Sequence, residues 1–264
     1  MEEPNRLIID IFTQEDLEKL KNKNENILFA KNDILKSDIN SKISQSKRIV
    51  LDAGHGGGDT GAKGNGLVEK TITLDLAKRT RAILEEHGYN VMLTRQQDCD
   101  LSLAERSILA EQLKADLFVS IHVNSARIVP TSHNGIETFY LQNSDLVTPT
   151  RHGGFLFMNL KKDPALITLI DKHVQDNTQL SKTLAKSIQS SLVNYLQSQQ
   201  ISINDRGIKS DKLRVLLRSP IPAALVEVGF ITNKNDALRL SEQEYRDKLA
   251  YGICQGIMRF TQRQ

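Results

Sequence analysis

Two histidines and one glutamate stand at positions where metal-binding side chains are typically found. His55 follows a short apolar run and is surrounded by glycines, and His122 ends a second apolar run. Glu69 lies between them, at the start of a helical pattern. Two imidazoles and one carboxylate are a common ligand set of catalytic zinc, which keeps a fourth position open for water. Because water bound in this way becomes a nucleophile near neutral pH, the pattern predicts a hydrolase with one zinc ion per chain.

Such a hydrolase also needs a group that transfers protons, and Glu227 is the candidate. Its neighbours in the sequence are mostly apolar, and ionising a carboxylate among apolar side chains is costly. That cost raises the pKa of a carboxyl group toward the range in which it serves as a general base. Asp52 lies three residues before His55, and we expect it to hydrogen-bond a ring nitrogen of a ligand histidine.

Two other catalytic patterns are present in weaker form. Gly56, Gly58 and Gly61 match the spacing of a dinucleotide-binding fingerprint, but the true fingerprint opens directly into a helix and this segment does not. Ser44 and Lys47 match the S-x-x-K pattern of penicillin-binding proteins, yet they lie in a polar stretch with no K-T-G motif after it. A nucleotide-binding protein and a serine acyl-enzyme are therefore both disfavoured.

Strands and helices alternate along most of the chain. Apolar runs predict strands at 48–52, 89–93, 117–121, 136–141, 213–217 and 224–228. Helical periodicity and capping signals predict helices at 70–86, 101–113, 178–199 and 242–262. This alternation predicts a single-domain α/β fold, with a mostly parallel or mixed twisted sheet of about six strands flanked by helices. In such sheets sites form beyond the carboxyl ends of strands, which is where His55, His122 and Glu227 fall.

Two segments interrupt the regular pattern of the predicted catalytic domain, residues 47–263. Residues 1–46 are rich in Lys, Asn, Asp and Ser and are interpreted as an N-terminal arm or linker, with a strand at 6–12. Residues 142–176 contain prolines, a glycine pair and a short helical piece. Irregular segments of that length are usually functional or disordered. We interpret 142–176 as an insertion, and a regulatory lid and a solvated surface loop are the two alternatives for it.

The composition is that of an ordinary globular protein. The 264 residues are 39% hydrophobic and 25% charged, which suits one sizeable core. The net charge of +3 is too balanced to indicate nucleic-acid binding. Cys99 and Cys254 define neither a zinc knuckle nor a disulfide framework, and we expect two free thiols. No apolar run is long enough for a membrane span, and residues 1–12 lack the apolar region of a signal peptide.

Several stretches of the sequence together resemble one enzyme family. They are Leu51-Asp52-Ala53-Gly54-His55-Gly56-Gly57, Glu69-Lys70, Ser120-Ile121-His122-Val123-Asn124, Arg206-Gly207-Ile208-Lys209 and Val226-Glu227-Val228-Gly229-Phe230-Ile231-Thr232-Asn233. In this order and spacing, over residues 47–262, they are similar to the zinc-dependent N-acetylmuramoyl-L-alanine amidases of the amidase 3 family. One position departs from the family pattern, since Thr60 stands where a proline is frequent.

The resemblance implies a zinc-dependent peptidoglycan hydrolase that cleaves the amide bond between N-acetylmuramic acid and L-alanine of the stem peptide. It implies that His55, Glu69 and His122 hold the zinc and that Glu227 is the catalytic glutamate. Division-associated members of the family carry an insertion where 142–176 lies here. In those members a helix blocks the zinc until an activator of the LytM type displaces it. The substrate implies a place in the cell envelope, periplasmic or secreted, and a role as an autolysin or in cell division.

Two alternatives stay open at the level of the sequence. Another zinc amidohydrolase or a zinc peptidase would use the same ligands, because the ligands do not recognise the substrate. A catalytically silent amidase-like domain would act as a binding or activator module, and the loss of Glu227 or of a ligand would indicate it. All four candidate residues are present.

Overall fold

The computed structural model describes residues 46–126, 133–142, 164–216, 219 and 221–263, and for 164–174 it describes the backbone alone. The predicted strand at 6–12 and residues 143–163 of the insertion lie outside the described residues.

The described residues form eight strands in two sheets. The strands are β1 (Arg48–Ala53), β2 (Lys63–Gly64), β3 (Leu67–Val68), β4 (Asn90–Leu93), β5 (Leu117–Asn124), β6 (Ile136–Tyr140), β7 (Asp205–Ser210) and β8 (Ala223–Phe230). β2 and β3 pair as a short antiparallel ribbon. The other six form one sheet in the order β4-β1-β5-β8-β6-β7. The first four of these run parallel, whereas β6 is antiparallel to β8 and parallel to β7. The predicted mixed sheet of about six strands is thus confirmed.

Five helices are described in the same chain. They are α1 (Glu69–Glu86), α2 (Leu103–Gln112), α3 (Pro164–Ser198), α4 (Lys234–Ser241) and α5 (Gln243–Thr261). The predicted capping box at the start of α2 is present, because Ser102 and Glu105 satisfy each other's backbone N–H groups. None of the described helices combines the length and the apolar character that a membrane span requires.

The sheet separates two hydrophobic clusters. The larger cluster packs α1, α3 and α5 against one face through residues such as Leu51, Leu76, Ile188 and Ile253. The smaller cluster covers the other face with α2 and the segment around Val215. Side chains along a strand alternate between faces, so the mostly apolar parallel strands serve both clusters, as expected for a buried sheet. Cys99 and Cys254 form no disulfide, as expected.

Three predicted elements differ from the structure. The strand expected at 213–217 is wrong, because residues 214–216 form turns that pack onto the smaller cluster. The strand of this region is β7, whose residues are polar and half-exposed because β7 lies at the edge of the sheet. The helical piece at 165–173 and the helix at 178–199 are one continuous helix, α3. The short helix α4 was not expected.

Two bulges shape the sheet beside the carboxyl ends of β1, β5 and β8. Between β5 and β8, His122 pairs with Glu227 but Asn124 pairs with Phe230, so β8 carries one extra residue. Between β6 and β7, Ile136 pairs with Asp205 but Thr138 pairs with Ile208. A bulge bends its strand and redirects nearby side chains, and both bulges lie next to the candidate site.

Candidate metal centre

His55 lies in a tight loop directly after β1. Its backbone has φ of 60°, in the left-handed region that a residue with a side chain adopts only when its surroundings enforce it. A side chain on Gly54 would place its Cβ 2.4 Å from the His122 ring, and one on Gly61 would lie 2.6 Å from the His55 ring. Glycine at these two positions therefore lets the backbone approach the imidazoles closely.

Two arginines fix the backbone of this loop. Arg95 donates hydrogen bonds to the carbonyl oxygens of Ala53 and Gly54, at 2.9 and 3.0 Å. Arg106 donates to the carbonyl oxygens of Ala53 and His55, at 2.7 and 2.9 Å. Both arginines are almost fully buried. Their guanidinium groups satisfy carbonyl oxygens of this loop, and this holds His55 in its unusual conformation.

Asp52 is not the hydrogen-bond partner of a ligand histidine, and that expectation was wrong. Its carboxylate accepts hydrogen bonds from Thr94, Arg106 and Ser120, at 2.6–2.7 Å, beneath the loop. Burial alone would raise the pKa of Asp52, but the charge of Arg106 and the hydrogen bond of Ser120 outweigh it and lower that pKa. Asp52 is therefore the buried counter-ion of Arg106.

The acceptor next to the His55 ring is Asp59, whose Oδ2 lies 2.8 Å from His55 Nδ1. An acceptor at one ring nitrogen fixes the proton there and leaves the other nitrogen free to bind a metal. The other nitrogen, Nε2, lies 3.2 Å from Glu69 Oε1.

Glu69 is the first residue of α1 and points into the loop. Its side chain is only 5% exposed. Oε1 lies 2.9 Å from His122 Nδ1 and accepts from the Val123 backbone at 3.0 Å, and Oε2 accepts from the Ala62 backbone at 2.8 Å. The carboxylate is thus held in one position by two backbone N–H groups, independently of the histidines.

One ligand atom from each of His55, Glu69 and His122 lies within 4.8 Å of the others. The two histidine nitrogens are 3.2 and 2.9 Å from Glu69 Oε1. Zinc bonds of about 2.0–2.1 Å in tetrahedral geometry separate neighbouring ligand atoms by about 3.3 Å. The two imidazole planes are inclined at 79° with their centres 4.9 Å apart. The donor set and its spacing fit zinc, and the two histidine side chains remain 24% and 18% exposed for substrate access.

The charges of the three residues are strongly coupled. Burial alone would raise the pKa of Glu69, but hydrogen bonds and charges from His122 and His55 hold it well below its ordinary value. Burial alone would lower the pKa of His55, but Glu69 and Asp59 raise it above the ordinary value. Glu69 is therefore an anion at any physiological pH, which suits a ligand of a divalent cation.

Glu227 lies beside this cluster, on the strand that pairs with the strand of His122. The two residues are register partners across β5 and β8. Although the residue as a whole is half-buried, its Oε2 is buried and has no hydrogen-bond partner among the described residues. Burial, followed by the negative charges of Glu69 and Glu137, raises the pKa of Glu227 well above its ordinary value. The direction of this shift agrees with the expectation from the sequence.

A second glutamate adjoins Glu227 and was not expected from the sequence. Glu137 on β6 is the direct register partner of Glu227. Its side chain is 4% exposed and accepts from Asn124 at 2.6 Å, from Arg206 at 2.6 Å and from Lys209. His122, Glu227 and Glu137 thus form a polar row across β5, β8 and β6.

The residues that were not predicted from the sequence support the candidate residues or the loop of His55 through contacts. Asp59, Arg106 and Glu137 contact the candidate residues or their backbone, and Arg95 contacts the loop of His55. Asp59 lies four residues after His55, whereas the other three come from elements distant from their partners in the sequence, and no spacing rule connects them. An arginine or glutamate within an otherwise apolar or helical pattern was the one available signal, since buried charges are rarely unpaired.

Comparison with known proteins places the chain in a family. A family model described as N-acetylmuramoyl-L-alanine amidase matches residues 49–259. The chain is 37% identical over 213 residues to the uncharacterized protein YqiI of Bacillus subtilis, with 81% of this chain and 84% of that protein covered. It is 35% identical over 212 residues to the N-acetylmuramoyl-L-alanine amidase LytC of Bacillus subtilis, with 80% of this chain but 35% of that protein covered.

The fold is also similar to a solved structure. The N-acetylmuramoyl-L-alanine amidase from Clostridium difficile 630 superposes with a TM-score of 0.67 at 30% identity, covering 83% of this chain and 98% of that one. The chain therefore spans nearly the whole of that structure and about a third of LytC.

Proposed function

The chain belongs to the N-acetylmuramoyl-L-alanine amidase family, a family of peptidoglycan-hydrolysing enzymes, and we propose that it cleaves the amide bond between N-acetylmuramic acid and L-alanine with one bound zinc ion. One observation carries the proposal. Three ligand atoms, from His55, Glu69 and His122, converge beside a Glu227 carboxylate oxygen that has no hydrogen-bond partner among the residues the structure describes.

In this proposal His55 Nε2, His122 Nδ1 and the Glu69 carboxylate hold the zinc. When bound, zinc polarises the scissile carbonyl and activates the attacking water. Asp59 keeps a proton on His55 Nδ1, so that Nε2 is available as a ligand. Arg95 and Arg106 prevent the loop from relaxing away from the ion, because they anchor the carbonyls on either side of Gly54.

Glu227 transfers the proton. Its carboxylate accepts a proton from the attacking water and donates that proton to the nitrogen of the departing L-alanine. One carboxyl group serves both steps because the proton gained in the first is the proton needed in the second. The raised pKa supports this role, because it makes the Glu227 carboxylate a stronger base toward the attacking water.

Two related functions use the same residues. A zinc peptidase would cut a peptide bond within the stem, and a silent module would bind peptidoglycan without cutting it. Cleavage of the amide between N-acetylmuramic acid and L-alanine is favoured because the named relative LytC and the solved structure are both N-acetylmuramoyl-L-alanine amidases. A digest of purified peptidoglycan tests the proposal. The expected products are peptide-free glycan strands and stem peptides with L-alanine at the N-terminus, and an unchanged muropeptide profile would refute an active amidase.

The substrate also supports a location. We propose that the protein acts in the cell envelope, in the periplasm or outside the cell, because that is where peptidoglycan lies. A role as an autolysin or in cell division follows from the same substrate.

We propose that the insertion at 142–176 regulates access to the site and that an activator of the LytM type acts on it. The described part of this segment, from Pro164 onward, is the start of α3, so a test has to spare that helix. Replacing residues 145–163 with a Gly–Ser linker should raise activity on purified sacculi and leave the zinc content unchanged. Equal or lower activity of a folded variant would identify the segment as a surface loop without this role.

A further inference from the structure

Arg206 on the edge strand β7 is held in one orientation beside the candidate site. Its Nε donates to Glu137 at 2.6 Å, and the centre of its guanidinium group lies 4.9 Å from the centre of the Phe230 ring. An arginine that both stacks on an aromatic ring and pairs with a carboxylate loses most of its rotational freedom. The guanidinium plane is therefore fixed before any ligand arrives.

The bulge between β6 and β7 explains why Arg206 faces the site. Two residues of β7, Arg206 and Gly207, lie opposite the single residue Glu137, and Gly207 has φ of 72°. In a regular strand Arg206 and Lys209 are three positions apart and would point to opposite faces. Here both side chains reach the same carboxylate of Glu137. The extra residue has turned the Arg206 side chain toward the polar row that includes Glu227.

The terminal nitrogens of Arg206 are available to a ligand. Among the described residues, Nη1 and Nη2 donate no hydrogen bond, although the side chain is only 24% exposed. The local charge is also unbalanced, because Arg206 and Lys209 are two cations that share one anion, Glu137. A half-buried guanidinium fork with open donors and surplus positive charge suits a carboxylate, which it can bind through two parallel hydrogen bonds.

We propose that Arg206 is a substrate-binding residue that recognises a free carboxylate of the stem peptide next to the scissile amide. This inference rests on the proposed amidase function and adds a specificity determinant to it. Glu137, Lys209 and Phe230 are positioning residues, since they orient the guanidinium group without contacting the peptide themselves.

The distances agree with the second residue of the stem peptide. Neighbouring strands lie about 4.8 Å apart, so Arg206 on β7 starts about 10 Å from Glu227 on β8, and its side chain extends back toward β6. A peptide spans at most about 3.5 Å per residue. If the second residue of the stem peptide continues the chain through its side-chain carboxyl group, its α-carboxylate is free. That carboxylate then lies about 7 Å from the scissile nitrogen. A carboxylate further along the stem would overshoot the guanidinium group.

Two matched muropeptides test the proposal, one with D-isoglutamate and one with D-isoglutamine as the second residue. They differ only in the second residue, where the α-carboxylate of the first muropeptide is replaced by an uncharged amide in the second. The wild-type enzyme should cleave the acid with kcat/KM at least about 10-fold higher, because hydrogen bonds to charged groups are the stronger ones. Arg206→Gln should abolish that preference, mainly by raising KM for the acid more than KM for the amide. Arg206→Lys should keep part of the preference, because charge remains while the fork is lost.

Controls separate this inference from the proposed function and from a purely structural role. Arg259→Gln removes an exposed arginine from α5 and should leave the preference unchanged. Failure of the wild-type enzyme to cleave either muropeptide would refute the amidase function itself. Equal cleavage of the two by wild type, or an undiminished preference in a folded Arg206 variant, would overturn the role of Arg206. If Arg206→Gln does not fold, Arg206→Lys decides, since a purely structural arginine would lower the rates on both substrates alike.

Discussion

Glu137 and Glu227 face each other directly across the antiparallel strands β6 and β8, but the two carboxylates differ in their hydrogen bonding. Glu137 accepts from an amide, a guanidinium group and an ammonium group. Glu227 Oε2 accepts from none of the described residues. Two adjacent carboxylates cannot both ionise at low cost. Burial and the charge of Glu69 raise the pKa of Glu227, and the charge of Glu137 beside its cations adds to that shift. Glu137 is thus paired with cations, whereas Glu227 is the carboxyl group that can carry a proton.

The first prediction concerns the rate. Glu227→Gln should bind zinc as wild type does and should fold, because glutamine is nearly isosteric and Glu227 is not among the three converging ligands. Its rate on peptidoglycan should fall by about 10²–10⁴-fold, since glutamine cannot accept the proton. Initial rates together with metal analysis measure both effects. A variant that retains more than about a tenth of the wild-type rate would show that another group is the base.

The second prediction concerns stability and pH in the metal-free protein. The pKa of Glu227 is raised above its ordinary value of 4.5 in the folded state, so its protonated form favours folding. The stabilisation is complete below pH 4.5 and is lost as pH rises through the folded-state pKa. Above that range the free energy of unfolding of Glu227→Gln, measured by denaturant titration, should exceed that of wild type by about 1–3 kcal/mol. Coinciding stability curves for the two proteins from pH 4 to 9 would contradict the account of a buried, unpaired carboxyl group.

The third prediction concerns the ligands. His55→Ala and His122→Ala should each lose most of the zinc and all detectable activity, because two remaining ligands hold a divalent ion poorly. His87→Ala is the matched control, since His87 lies at the exposed C-terminal end of α1 and should bind no zinc. Zinc content of the purified proteins, measured after dialysis, gives the comparison. Full occupancy in either ligand variant would exclude the proposed site.

The fourth prediction concerns the glycines of the loop. A Cβ on Gly54 would lie 2.4–2.7 Å from three atoms of the His122 ring, so Gly54→Ala should displace that ring. Zinc affinity should fall by about 10–100-fold, as it does when the support of a ligand is lost. Gly58→Ala is the control, because its nearest neighbour would be at 3.4 Å. Equal zinc affinity in the two variants would mean that the loop tolerates a wider separation of the histidines.

The sequence predicted the parts of this fold that depend on periodicity. β1, β5 and β8 carry long apolar runs because both faces of the central sheet are buried, and these strands were located correctly. β7 was missed because it is an edge strand with polar, half-exposed residues. The apolar run at 213–217 was mistaken for a strand because Val215 and Leu216 are buried. Burial alone does not distinguish a strand from a turn packed onto the core.

The sequence also predicted only part of the candidate site. His55, Glu69, His122 and Glu227 were identified because their residue types are chemically specific and because strand ends bring them to one edge of the sheet. The supporting contacts depend on side-chain direction. Asp52 was assigned to a histidine, yet strand alternation places it beneath the loop with Arg106. The turn of Arg206 toward Glu137 depends on a bulge, and no pattern in a single sequence indicates the extra residue.

The proposed amidase adds water across the bond between the lactyl group of N-acetylmuramic acid and L-alanine. Mass spectrometry of a peptidoglycan digest made in water enriched in oxygen-18 tests this directly. Peptide-free N-acetylmuramic acid should carry one heavy oxygen in its lactyl carboxylate, and the stem peptides that begin with L-alanine should be unlabelled. Heavy oxygen in the carboxylate of an alanine that is still attached to the sugar would instead identify a peptidase and refute the amidase function.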